Sequence, residues 1–415
     1  GAPSLSRRVF SGSGLIALAS AGAKVCALIS FPFLSRWLGP APYGVYSLAS
    51  TVVGLSSTLG LLGLDMAYAR HYLEGDPDEC QAVEAYCWGR ALLASLLAAA
   101  GATVVWGAVG SHSSRPDQLL VLAYLPLAIS LSVTSTLAGT RTRLQGGYRR
   151  LAQVMVLSAM ASTLTSLLLA ALGRRDILPL LVAGLVSSGA MLVLLGAPSP
   201  ATLIRSWGLL QPQRRRQLLS LGVSCAVTGP LYWLISSSDR WFLAATRGDS
   251  EVGIYATAST IALMGIMVNS AVHLALFPEA SRLYGSGTRS ELHQLARLWE
   301  RLAVLLLMVM LVVGSLGPPV LRLLTAPSFH SGVAVIPWLA LSAFLYGLAG
   351  LGNLPFFLER RMNVIAIYWG LVTLVCLLAN SLLIPIQGAV GAAMVQCITY
   401  AILAILTLRG GMTVL

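Results

Sequence analysis

The chain has 415 residues, of which 56% are hydrophobic and only 10% charged, with a formal net charge of +12. Soluble domains carry about 25% charged residues, so this chain has too little charge to cover a water-facing surface, and lipid must be its main solvent. A basic excess in so apolar a chain is a topology and lipid-headgroup signal rather than a nucleic-acid footprint. Backbone groups in lipid must be satisfied inside the protein, which leaves helices or a closed barrel. Barrel strands alternate over about ten residues. The runs 91–109 and 302–316 stay apolar without alternating, so helices are expected.

The expected fold is an all-α polytopic membrane protein with about twelve transmembrane helices. In chain order the spans fall at roughly 14–35, 42–69, 83–109, 117–140, 151–172, 176–196, 219–243, 252–276, 299–324, 332–354, 362–384 and 386–408. The first apolar run is itself long enough to span, which argues against a cleavable signal peptide. Only Ile384-Pro385 separates the last two spans. With the N-terminus in the cytoplasm, nineteen arginines fall on the inner side and seven on the outer, as the positive-inside rule requires. Trp37, Trp88, Trp106, Trp207, Trp241, Trp299 and Trp338 fall near span ends, where interfacial tryptophans sit.

The chain repeats itself. Residues 43–52 read YGVYSLASTV and residues 252–261 read VGIYATASTI. Gly44, Tyr46, Ala49, Ser50 and Thr51 answer Gly253, Tyr255, Ala258, Ser259 and Thr260 at an offset of 209 residues. Upstream, Arg36-Trp37 answers Arg240-Trp241; downstream, Arg149-Arg150 answers Arg360-Arg361. The expected organisation is an N-terminal six-helix lobe (1–200), a cytoplasmic linker (201–218) with Pro212 and the basic run Arg214-Arg215-Arg216, and a C-terminal six-helix lobe (219–415). Six spans separate equivalent positions, so both lobes insert in the same direction, an arrangement transporters use to bind substrate between rocking lobes.

These same residues carry a resemblance. FPFLSRWLGPAPYGVYSLAS (31–50), GLLGLDMAYARHY (60–72), SSSDRWFLAATRGDSEVGIYATAS (236–259) and FPEASRLY (277–284) resemble the polysaccharide-transporter family of bacterial flippases, O-antigen-type members of the multidrug/oligosaccharidyl-lipid/polysaccharide (MOP) exporter superfamily. The resemblance implies two six-helix lobes forming a V around a central cavity. It implies a flippase that carries an undecaprenyl-pyrophosphate-linked oligosaccharide from the inner to the outer leaflet by alternating access. The partners it implies are that lipid-linked substrate, membrane lipids and polysaccharide polymerase machinery; the location it implies is the bacterial inner membrane. Two departures stand out. The related lipid II flippases have fourteen spans, and no room is found here for two more. Drug exporters of the superfamily carry intramembrane carboxylates, and no Asp or Glu falls near the middle of a span as read above.

Lys24 is the single lysine of the chain and lies near the middle of the first span. A cation there costs roughly 2.5–3.5 kcal/mol on insertion scales. From about ten residues deep, ~15 Å, snorkelling is hard. A water-filled cavity removes most of that cost, and an ammonium is a compact partner for phosphate. In the lipid II flippases basic residues of the first helix face the cavity, so the resemblance supports substrate binding; pairing with a polar neighbour is the structural alternative. Arg70 and Arg90 are candidates for lining an inner cavity or for interfacial snorkelling, with Asp65 as a gating or coupling candidate or a salt-bridge partner. Asp239 and Arg240, placed at the outer end of the seventh span, read as a gate, a coupling pair or an interfacial anchor. Asn269 and His273 share a helix face, for a cavity or for an interhelical hydrogen bond. Asn353 sits among glycines where a helix bends, and Gly229-Pro230 is a hinge candidate.

No catalytic constellation or P-loop appears, so no cofactor is expected and the chain reads as a non-enzyme. The six cysteines show no metal spacing and read as apolar packing residues. The alternative reading is a drug or small-molecule secondary exporter of the same superfamily, marked by a carboxylate lining the cavity. A membrane polymerase or ligase would need a substantial outer loop, and none is long enough. The arginine distribution places both termini in the cytoplasm. Cysteines introduced near either end should therefore resist a membrane-impermeant thiol reagent in intact cells and react after lysis; labelling in intact cells contradicts the topology.

Overall fold

A computed structural model describes residues 5–72, 77–109, 115–207, 209–226, 228–286, 289–359 and 361–412, with the side chains of 270–279 and 281–292 among those left outside the described set. All secondary structure among the described residues is helical: α1 (Leu5–Leu38), α2 (Pro40–Leu61), α3 (Leu64–His71), α4 (Pro77–Val109), α5 (Arg115–Leu144), α6 (Tyr148–Ala171), α7 (Leu178–Leu195), α8 (Pro200–Trp207), α9 (Pro212–Ala226), α10 (Thr228–Arg247), α11 (Asp249–Ser286), α12 (Arg289–Leu324), the 3-10 helix η1 (Pro327–Val335), α13 (Ile336–Leu358) and α14 (Met362–Met412).

Ten helical stretches among the described residues are long and apolar enough to cross a membrane. One of them, Met362–Gly411, runs 50 residues, about 75 Å if straight and far more than one bilayer core. It is two helices. Gly388, with φ 57° and ψ −136°, breaks it just beyond the Ile384-Pro385 boundary read from sequence. The seventh span expected at 219–243 is not among the ten. Over that stretch the structure describes α9 to Ala226 and α10 from Thr228, and Val227 between them lies outside the described residues. The second span is divided, into α2 and α3, by left-handed residues Leu62 (φ 50°) and Gly63 (φ 64°).

The chain divides into two compact units, 1–38 with 48–230, and 39–47 with 231–415. In the first, α1 packs on α6, α6 and α5 on α7, α4 on α5 and α8, and α3 on α9. Its core holds Leu64, Tyr68, Tyr86, Cys87, Trp88 and Leu137. The segment 201–218 thus packs as part of this unit, through α8 and α9. In the second, α13 packs on α14, and α11, α12 and α13 pack on one another. Its core includes Ile235, Val372, Cys376, Val395, Tyr400 and Leu403. Bulky apolar side chains on α4 (Leu93, Leu97, Val104) and α12 (Met308, Leu311, Leu323) are more than half exposed, a pattern that only lipid accommodates.

The repeat reappears as geometry. Gly44 and Gly253 are each the fifth residue of their helices, α2 and α11. They are also in mutual contact inside the second unit. A methyl on Gly44 would land on the Asp249 carbonyl, one on Gly253 would land on the Pro40 carbonyl, and each would stand 3.0 Å from the other glycine's nitrogen. The glycines before the two helices, Gly39 (φ 76°) and Gly248 (φ 88°), share the same 209-residue offset. That alignment needs no gap, so Arg36-Trp37 and Arg240-Trp241 are not structural counterparts. The latter pair lies deeper, because α10 continues to Arg247. Gly44→Val or Gly253→Val should destabilise the protein by about 1–3 kcal/mol or more, because backbone rather than a flexible side chain is in the way. Gly101→Ala, with open space around it, should be neutral. Thermal unfolding in detergent distinguishes the two classes, and equal midpoints for Gly44→Val and wild type contradict the close crossing.

Candidate functional site

Six of the sequence-predicted residues lie in the first unit: Lys24, Asp65, Arg70, Arg90, Gly229 and Pro230. Lys24 is exposed on α1 and makes no hydrogen bond or ion pair with a described residue. The opposite side of α1 holds buried Ala19 and Gly22, the latter 3.7 Å from Val156 on α6. The exposed bulky residues Leu18, Val25 and Ile29 lie about 100–140° around the helix from Lys24. Its neighbours one turn away are Ser20, Ala21 and Ala27, with Leu28, whose side chain lies outside the described residues, as the bulky exception. Lys24 therefore stands on a face of small side chains, away from both the α6 contact and the bulky exposed arc.

Asp65 and Arg70 occupy the first and last turns of α3, where an acid and a base each complement the helix dipole. Arg90 is exposed on α4, and its guanidinium lies 5.5 Å from the ring centre of buried Tyr86. Arg215 approaches the same ring at 6.0 Å. Nearby, Arg141 Nε lies 2.8 Å from Glu84 Oε1, and Glu84 is only 6% exposed. The sequence reading missed this pair: it placed Glu84 at the very start of the third span, at 83–109, and gave it no role. The available signal was opposite charge at the inner ends of consecutive spans.

The other predicted residues, Asp239, Arg240, Asn269, His273 and Asn353, lie in the second unit. Asp239 and Arg240 do not end a helix. Asp239 lies two turns inside α10 and is 1% exposed. Its Oδ1 accepts the Arg240 backbone N–H at 2.7 Å, and its Oδ2 accepts Gln396 Nε2 at 2.8 Å and the Tyr255 hydroxyl. Beside it, Asn380 Nδ2 donates to Ser238 Oγ at 3.0 Å, while buried Asn380 Oδ1 has no hydrogen-bond partner among the described residues. Asp239 is thus a buried carboxylate in the interior of α10, a helix that is not among the ten long and apolar enough to cross a membrane. The polar run Ser236–Arg240 reads as a helix end, but α11 and α14 bring partners that satisfy it in the interior.

Asn269 is buried and donates to the Ala343 carbonyl at 2.6 Å, an interhelical bond, and it also lines a small cavity between α11, α12 and α13. His273 is on α11, and its side chain lies outside the described residues. Asn353 is buried on α13, its Oδ1 without a partner among the described residues. Gly229 and Pro230 open α10 at the point where the chain passes between the units. Among the described residues no group of three or more His, Cys, Asp or Glu has the placement of a metal site.

Comparison with known proteins supplies the family. The sequence profile described as polysaccharide biosynthesis protein matches residues 33–331. The chain belongs to this family. Its fold is the one that MOP-superfamily transporters share. An inward-facing multidrug resistance MATE family transporter of that superfamily is 14% identical, with a TM-score of 0.72 over 94% of each chain. The lipid II flippase MurJ in an inward closed conformation is 13% identical, with a TM-score of 0.73 over 95% of this chain and 87% of that one. A MOP superfamily transporter from Pyrococcus furiosus is 16% identical, with a TM-score of 0.63 over 98% of this chain and 95% of that one. At such identities the fold is what is shared. No curated protein matches the sequence. Within the family region lie Asp239, Tyr255 and the Gly44–Gly253 crossing, while Lys24 precedes it and Gln396 follows it.

The Asp239 cluster has a measurable consequence. Both oxygens of Asp239 accept, so Asp239→Asn must turn an amide N–H₂ toward a donor. The variant should lose about 1–3 kcal/mol of stability, and Asp239→Ala at least as much, because Tyr255 and Gln396 are then left unpaired in the interior. Tyr255→Phe, which removes one donor and keeps the carboxylate's other bonds, should cost less. Unfolding midpoints in detergent give the order, and an Asp239→Asn protein as stable as wild type refutes the acceptor assignment.

Proposed function

We propose that the chain is a flippase that moves an undecaprenyl-pyrophosphate-linked oligosaccharide from the inner to the outer leaflet by alternating access, in the bacterial inner membrane with both termini cytoplasmic. The observation that carries the reading is Lys24: a lone ammonium in a lipid-crossing helix, exposed, without a protein partner among the described residues, and set on a face of small side chains. Bulky residues fill the arc that suits lipid. A cavity holding water and an anionic headgroup suits the arc around Lys24, where it lowers the cost of the charge. The family's place in polysaccharide biosynthesis supplies the substrate class, and the transporter fold supplies the means of moving it. Arg90, exposed on the same unit, adds a second cation with capacity for phosphate.

In this mechanism Lys24 holds the pyrophosphate while the cavity closes to one side of the membrane and opens to the other. Gly229-Pro230, where proline supplies no backbone N–H to the helix, is the hinge we assign. Asp239 is the coupling residue: its carboxylate and the unpartnered Asn380 Oδ1 are oxygens that a proton or a small cation can exploit. The outer-leaflet product then passes to polymerase machinery.

Charge should matter more than shape at Lys24, since an ammonium acts as a point charge. Lys24→Arg should retain part of the activity, Lys24→Ala should lose most of it, and Lys24→Glu should be worst because it repels phosphate. Complementation of a flippase-deficient strain, with membrane expression measured in parallel, reads transport separately from folding. Full activity of a well-expressed Lys24→Ala protein removes Lys24 from the mechanism.

A further inference from the structure

A cavity of about 590 Å³ opens in the first unit, between the beginnings of α4 and α9 and the 209–211 segment that leads from α8 into α9. Its volume lies within the ~300–1,000 Å³ of small-molecule sites. It is separate from Lys24, and none of its lining residues takes part in the mechanism above.

The lining has a definite chemistry. Gln211, Gln213 and Gln217 reach it with three amides, all on exposed positions. Gln213 and Gln217 are one turn apart on α9, so they stack on one face. Each amide offers two N–H donors and a carbonyl acceptor. Across from them Arg214 Nε lies 3.3 Å from Glu79 Oε1, and Arg214 also donates to Gln217 Oε1 at 3.3 Å. That ion pair balances its own charge, so the described lining residues present donors and acceptors with opposite charges paired. The remaining wall is apolar: Ala82 and Leu210 are buried, and Leu209 is 67% exposed.

A phosphate or an acidic headgroup would need uncompensated cations, and the guanidinium among the described lining residues is already opposite a carboxylate. A planar base would need an aromatic platform, which is not among the described lining residues. Hydroxyls both donate and accept, and a ring that carries them also has a C–H face for an apolar wall. We propose that this cavity is a carbohydrate-recognition site that takes neutral sugar residues of the translocated substrate. The link to a lipid-linked substrate rests on the flippase reading; the selectivity for neutral polyols rests on the lining alone. The site separates recognition of the sugar, at α4 and α9, from capture of the pyrophosphate, at Lys24 on α1.

The two assignments are distinguishable in one experiment on the full chain in nanodiscs. Saturation-transfer NMR would be run with glucose, galactose, mannose and N-acetylglucosamine, and binding of inorganic pyrophosphate followed by calorimetry. At least one sugar should show transfer to wild type. Gln213→Ala/Gln217→Ala should weaken that sugar about tenfold or more, and Lys24→Ala should leave it unchanged. Pyrophosphate should show the opposite pattern. The glutamines are exposed, so the double variant should keep the wild-type unfolding midpoint. If none of the four sugars binds wild type, or the double variant binds as well as wild type, the assignment is overturned whatever the variants' stability. If pyrophosphate binding is lost on Arg214→Ala instead, the cavity is an anion site and the assignment is also overturned. Sugar binding without any pyrophosphate binding supports the cavity and sinks the role of Lys24 alone.

Discussion

Hydrocarbon offers the backbone no hydrogen-bond partner, and the interruption in α14 shows how this chain answers that constraint. At Gly388 the helix breaks and strands carbonyls on one side and N–H groups on the other. Arg247 donates to the Pro385 and Ile386 carbonyls at 2.9 and 3.0 Å, closing the end of the first half. Glu251 Oε1 accepts the Ala389 N–H at 2.8 Å, opening the second half as an N-cap would. Each charge also has the sign that the local helix dipole favours. Both residues flank Gly248, the left-handed turn between α10 and α11. One tight turn thus caps a distant broken helix, and the same turn positions Gly253 against Gly44.

That arrangement explains why glycine is needed at the crossing. Helix association in lipid gains little from burying apolar surface, so close backbone approach and Cα–H···O contacts carry more of it. The reciprocal pattern, Gly44 on the Asp249 carbonyl and Gly253 on the Pro40 carbonyl, is what two copies of one helix start produce when they face each other. A repeat that is visible as sequence identity is here also a contact. The small residues are retained at both ends because each is the other's surface.

The parts of the fold set by composition and period were legible in the sequence. Lipid-crossing helices, their approximate limits and the Gly44–Gly253 correspondence follow from hydropathy and from side chains that packing allows to be small. What was not legible depended on partners far along the chain. Asp239 looked like the end of a span because local polarity marks ends, and only Tyr255 and Gln396, 16 and 157 residues away, make it tolerable inside. Asn269 on an apolar helix left two readings open, and its acceptor, the Ala343 carbonyl, lies 74 residues on, beyond any local pattern. The caps at Gly388 were invisible for the same reason: no local pattern states that Arg247 and Glu251 serve a helix 138 residues on. The cavity beside α9 escaped because glutamines in a basic linker resemble ordinary solvated surface.

The distribution of satisfied charge then separates structural ions from functional ones. Glu84 with Arg141, and Arg247 and Glu251 with their backbone partners, have most of their capacity taken. Removing one member of such a set leaves the other exposed to a low-dielectric interior, so these groups are held in place by stability alone. Lys24 has no such partner among the described residues, and stability gives no reason to keep it. A lysine that costs insertion energy and makes no hydrogen bond or ion pair with the described residues of its own fold is accounted for when its partner is supplied from outside. An anionic headgroup that arrives, is neutralised and leaves again is a partner of that kind, because a cation already engaged by the protein would have nothing left to offer it.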